Sequence, residues 1–126
     1  MRAVGIFAGI TALLSYPADA DVVRHKTIPE SFWGSWAPTA ETCTAKDKAT
    51  IVLSATTYVS SEVNCTIHWV SETAGGRGSI YSARMRCSNA TGKGEEVTSN
   101  LIIFPTDANQ ILLGSEFGAL KVYKRC

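Results

Sequence analysis

The stretch NCTIHWVSETAGGRGSIYSARMRC, residues 64–87, has a cysteine near each end and the pair Gly75-Gly76 close to its middle. It reads as two strands joined by a turn over Ala74 to Gly78. That turn sets Cys65 opposite Cys87, Ile67 opposite Met85, Trp69 opposite Ala83 and Ser71 opposite Tyr81. Side chains alternate along a strand, so Cys65, Ile67 and Trp69 share one face with Tyr81, Ala83, Met85 and Cys87. That face is apolar and is expected to be core. The other carries Thr66, His68, Val70, Ser82, Arg84 and Arg86 and is expected to meet solvent. The equal distance of the two cysteines from the turn is what a cross-strand disulfide at the open end of a hairpin requires.

The N-terminus sets the compartment in which such a bond can form. In MRAVGIFAGITALLSYPADA, Arg2 supplies a positive start, Ala3 to Leu14 form a mostly apolar run, and Ala18-Asp19-Ala20 fits a small-x-small cleavage site. Residues 1–20 therefore read as a secretory signal peptide. The apolar run is too short for a retained membrane helix, which needs roughly 20 apolar residues. The expected product, Asp21 to Cys126, is a single domain with a modest core, periplasmic or secreted and free of the membrane once cleaved. Removing residues 1–20 takes away one charge of each sign, Arg2 and Asp19, so the net charge stays at +1. No charge run suggests nucleic acid or a membrane surface as partner.

All four cysteines, Cys43, Cys65, Cys87 and Cys126, lie in the expected mature part. An even count on an exported chain predicts two disulfides, in one of three connectivities. The hairpin selects Cys65–Cys87 and leaves Cys43–Cys126, which ties the start of the domain to its last residue. The chain has no C-x-x-C, and His25 and His68 stand far from metal-site spacing. No metal and no cofactor are expected.

Residues 21–27 read as a flexible N-terminal arm, and residues 28–126 as one β domain. In IPESFWG, Pro29 suits the first turn of a short helical segment and Gly34 its stop. Thereafter short strands are predicted near Ser35–Ala37, Thr50–Leu53, Thr57–Val59, Cys65–Ser71, Ser79–Cys87, Glu96–Phe104, Gln110–Leu113 and Ala119–Arg125. The breaks between them carry turn residues, among them Ser60-Ser61, Gly92-Lys93-Gly94 and Gly114 to Gly118. The fold class is all-β: a small antiparallel meander of about eight short strands, closed or partly open as a barrel.

Ile28-Pro29-Glu30-Ser31-Phe32-Trp33-Gly34-Ser35-Trp36-Ala37, then Cys43, the central Cys-to-Cys hairpin and the ending Tyr123-Lys124-Arg125-Cys126 resemble a group of small exported bacterial proteins that share an IPxxFxGxWA opening and a YxRC close. The resemblance spans nearly all of the expected mature chain and implies the fold and the compartment. A looser resemblance, carried by Gly34-Ser35-Trp36 and Arg125, is to the calycin barrels, which include lipocalins and small bacterial metalloprotease inhibitors. It implies a Trp36 on the first barrel strand packed near Arg125 on the last. The inhibitors pair an early cysteine with one shortly downstream, which corresponds to Cys43–Cys65; the hairpin geometry argues instead for Cys65–Cys87.

No catalytic constellation is visible, and a non-enzymatic protein is expected. His68 is the one histidine inside the predicted domain, and the adjacent Glu95 and Glu96 point to opposite faces of a strand. The candidate binding residues are aromatic or cationic. Trp36 and Trp69 fall on inward positions, and Trp33 stands where it can cap a barrel end. Trp36, Trp69, Tyr81 and Met85 would line a hollow interior, and Arg77 sits at the hairpin tip. Two roles follow: interaction with a protein partner, including inhibition of a hydrolase, through the arm or the Arg77 loop, or carriage of a small apolar ligand in the barrel. A filled interior, and a monomer, are expected at this chain length.

The two disulfides should differ in weight. Chain-entropy reasoning assigns roughly 3 kcal/mol to the loop closed by Cys65–Cys87 and about 4–5 kcal/mol to that closed by Cys43–Cys126. The Cys43→Ala/Cys126→Ala pair should therefore lower the urea midpoint more than Cys65→Ala/Cys87→Ala. Equal midpoints would show that loop length does not set the order.

Overall fold

The structure is a computed structural model and describes residues 22–38, 43, 49–76 and 78–126. The expected signal peptide and Arg77 lie outside the described residues. The strands are β1 (Val22–His25), β2 (Gly34–Ala37), β3 (Ile51–Leu53), β4 (Thr57–Val59), β5 (Val63–Thr73), β6 (Ile80–Asn89), β7 (Val97–Asp107), β8 (Gln110–Gly114) and β9 (Lys121–Arg125). Short 3₁₀ turns cover Glu30–Phe32 and Phe117–Ala119.

Strands β2 to β9 form a closed, eight-stranded antiparallel barrel. Each pairs with its neighbour in sequence, and β9 returns to β2 through Trp36↔Arg125 and Ala37↔Lys124. These are the eight strands the turn residues outlined. Both disulfides are present in the pairing the hairpin required, Cys43–Cys126 and Cys65–Cys87. Two disulfides are consistent with an oxidising, extracellular compartment.

The arm is a correction. Residues 22–25 form β1, which pairs Val22↔Thr73 through His25↔Val70 along β5. The short β4 covers β5 only from Asn64 to Thr66, so the upper half of that edge is left for β1. Nothing local in Val-Val-Arg-His announces this, because the pairing partner lies about fifty residues away in sequence.

The hairpin holds a second correction. From Cys65↔Cys87 to Ile67↔Met85 the register is the expected one; then His68 is inserted as a β-bulge and the pairs become Trp69↔Arg84, Val70↔Ala83, Ser71↔Ser82 and Glu72↔Tyr81. A bulge adds one residue to one strand and so reverses the faces beyond it. Val70, expected in solvent, is fully buried, whereas Trp69, expected inside, lies half-buried on the outer face with Arg24 4.1 Å from its ring centroid.

The interior is filled in its middle and at one end. Ile51, Leu53, Ile67, Val70, Ile103 and Ile111 form the apolar centre. Residues 28–33 fold over the end of the barrel where β2 begins. The Ile28 amide donates to Ala55 O (2.9 Å), and the Trp36 indole donates to Phe32 O (2.9 Å). Phe32 packs edge-on against Tyr81 at 5.0 Å. Arg125 closes the arrangement: its guanidinium lies 4.3 Å from the centroid of the Trp36 ring and donates to Ser31 O (2.6 Å) and Trp33 O (3.0 Å). Gly34 sits beside it at φ +127°, a left-handed conformation that favours glycine, and a Cβ there would lie in contact with Nη1 of Arg125 at 3.4 Å.

Arg125→Ala removes two charge-assisted hydrogen bonds and a cation–π contact. It should cost about 2 kcal/mol, read as a lower urea midpoint with unchanged slope. A loss under about 0.5 kcal/mol would mean that solvent satisfies the Ser31 and Trp33 carbonyls as well as Arg125 does.

Candidate functional site

At the opposite end the barrel is open. Here the inward positions of β4 to β9 surround a cavity of about 540 Å³. Tyr58, Met85, Leu101, Leu113, Tyr123 and the Cys65–Cys87 disulfide form its walls, while Ser88, Asn89, Glu95, Asn100 and Ser115 stand at its mouth. Short side chains on the strand ends explain the opening. Cys87, Val97 and Ser99 are inward positions that do not reach across the barrel, whereas Trp36 and Phe32 do so at the closed end. The turn after β8 folds back tightly beside the mouth: a Cβ on Gly114 would meet Ala119 O at 2.7 Å.

The electrostatics of this cavity are simple. Glu95 is the single charged side chain among the described residues that line it. Tyr58 has its phenol pushed up, by burial first and then by Tyr123 and Glu62, so its hydroxyl remains protonated at neutral pH. The cavity thus offers an apolar wall, two phenols from β4 and β9, and a polar rim. Val97 and, in the turn after β8, Phe117 are strongly exposed at this end, at 61% and 65%.

A second group of polar side chains gathers near the closed end, around β1. His25 Nε2 lies 2.8 Å from Glu72 Oε1, and the Tyr81 hydroxyl donates to Glu72 Oε2 at 3.3 Å. The Glu72 carboxyl is held below the usual range by hydrogen bonds from Ser79 and then His25, with Tyr81 adding to them against a burial that opposes. Tyr81 is pushed up, chiefly by burial and then by the Glu72 charge, and stays a neutral donor. Ser79 and His25 both bond to the same carboxylate, so the imidazole does not stand between hydroxyl and acid as a general base would. What the group does is fasten β1 to the hairpin.

The residues singled out in the sequence are therefore dispersed. Trp36 is core at the closed end, and Trp33 lies beside it, 39% exposed, with its indole donating to Ile28 O at 2.8 Å. Tyr81 belongs to the Glu72 group, and Trp69 faces outward. Of the four side chains expected to line a hollow, Met85 alone lines the large cavity. Tyr58, Leu101, Leu113 and Tyr123, which wall the cavity, carry no site signal in the sequence. Their neighbours include Val59, Ile102, Leu112 and Val122, so no polar alternation marks them as inward, and which end of a barrel stays open depends on side-chain length summed around the ring.

No family model, no curated protein and no solved structure matches the chain.

The Glu72 contacts set a pH dependence for β1. A carboxyl depressed in the folded state stabilises above its unfolded value, and that contribution disappears as pH falls through the folded value. The amide resonances of Val22 to Arg24 should therefore shift together as the pH falls below about 4, ahead of global unfolding. Glu72→Gln should abolish that step. A step that survives in the variant would assign it to another group.

Proposed function

We propose that this chain is an exported, non-enzymatic binding protein that holds a small, largely apolar ligand in the open end of its barrel. The observation that carries the reading is the cavity of about 540 Å³ between Met85, Leu101, Leu113 and the two tyrosines. Ligand sites are concave, mainly apolar, with a few placed polar groups, and span about 300–1,000 Å³. In small barrels of eight strands the interior either fills with side chains or holds one small ligand. This barrel does the first at one end and leaves room for the second at the other.

The placement of Arg125 over Trp36, with Gly34 beside it, agrees with what the calycin resemblance implies. It supports reading the chain as calycin-like, with 28–33 as the closed base and the opposite loops as the entrance. The non-enzymatic part of the proposal rests on the fastening role of His25 and Glu72 and on a cavity whose described lining offers a single charged side chain, Glu95. The signal-peptide pattern of residues 1–20 and the two disulfides support export.

A neutral fluorescent probe, N-phenyl-1-naphthylamine, should gain emission on titration with the chain Asp21–Cys126. Ser99→Trp places a large ring in the cavity from β7 and should weaken that binding at least about tenfold while leaving the thermal midpoint within a few degrees. Absence of any emission change for the parent protein would sink the carrier reading, as would full binding by the blocked variant.

A further inference from the structure

The outer face of the hairpin carries the least expected arrangement in the molecule. The bulge at His68 turns Trp69 out of the barrel, and bulges often re-aim a side chain where function needs it. Outside, the indole ring meets two guanidiniums, Arg24 of β1 at 4.1 Å and Arg84 of β6 at 5.7 Å from its centroid. Beside them His68, Trp69, Arg84, Arg86 and Thr98 line a shallow groove. Among the described residues neither Arg24 nor Arg84 has a carboxylate partner, and Arg86 shares one exposed pair with Glu96 at 3.2 Å. Two cations thus flank one half-buried aromatic ring, and a third, Arg86, lines the groove beside it, in a chain whose net charge is +1.

We propose that this face is a docking surface for an extended acidic segment of a partner protein, with Trp69 at its centre and Arg24, Arg84 and Arg86 as its charge contacts. Tryptophan and arginine are the residue types that dominate binding energy at protein interfaces. The groove is open and shallow, which suits a chain laid along it rather than an ion held in a pit. Spacing argues for an extended peptide. Arg84 and Arg86 stand two residues apart on one strand face, about 7 Å, which is also the separation of alternate side chains in an extended ligand. Arginine binds carboxylates through a planar, two-pronged donor, so glutamates at alternate positions can each engage one guanidinium. The surface is independent of the cavity: the cavity opens inward at the other side of the β5–β6 wall, and neither role needs the other.

The test is fluorescence anisotropy with a labelled peptide carrying glutamate at alternate positions, measured on the chain Asp21–Cys126 at about 0.15 M salt, where distant charges are screened. Three controls accompany it: a peptide of the same composition with its glutamates contiguous, one with lysine in their place, and a sulfated oligosaccharide. The alternating peptide should bind tightest and shift Trp69 emission. Arg84→Ser/Arg86→Ser should weaken it about tenfold, and Trp69→Phe by less. Lys121→Ser/Lys124→Ser, on the far wall in β9, should leave it unchanged. The proposal is overturned if the alternating peptide gives no signal at about 1 mM protein, if the arginine pair can be removed without effect, or if the lysine or contiguous peptide binds as well. Tighter binding by the oligosaccharide would assign the face to a sulfated glycan and overturn it too.

Discussion

One surplus residue in a hairpin whose open end is bridged by a disulfide sets which side chains face the inside of this barrel. Below His68, Cys65 and Ile67 point inward against Cys87 and Met85; above it, Val70 and Glu72 take that direction and Trp69 is turned outward. The reversal acts on the half of β5 beyond the bulge, towards the closed end. There it turns Glu72 to the side of Tyr81 and His25, and so fastens β1. On the near side the register is unbroken, and Met85 and the disulfide line the cavity.

The two ends of the barrel differ because their inward side chains differ in reach. Trp36, Phe32 and Ile28 span the closed end, and Arg125 ties the overlying turn to the last strand by hydrogen bonds to carbonyls ninety or so residues earlier in the chain. At the open end the outermost inward positions are serine, valine and cysteine, and Met85, Leu101, Leu113 and the two tyrosines wall a cavity rather than fill it. Side-chain length thus closes one end and leaves the other open. Val97 and Phe117 are strongly exposed at that end.

Much of the fold was legible because its signals are local. Turn residues separate eight runs of strand-forming sequence, and each run appears as a strand. The cysteine spacing in residues 64–87 sets the hairpin register near the disulfide, and the remaining two cysteines then have one partner each. The candidate site was far less legible. Strict alternation places Trp69 inward, and alternation fails at a bulge, which no residue in His68-Trp69-Val70 announces. The cavity walls carry no local signal for another reason: a hollow is a property of volumes summed around a ring, not of any one strand.

The sequence by itself determined the class of the fold, the order of the strands and the disulfide pairing, since period-two patterning, turn chemistry and cysteine spacing act over a few residues or through one hairpin. Only the tertiary structure decided that β1 joins the sheet, that the barrel closes β9 onto β2, that Trp69 lies outside among Arg24, Arg84 and Arg86, and that one end stays open. The chain contains no run of positive charge, yet its outer face gathers three arginines from two strands. Sheet pairing brings together residues sixty positions apart, and no linear pattern records which of them will meet.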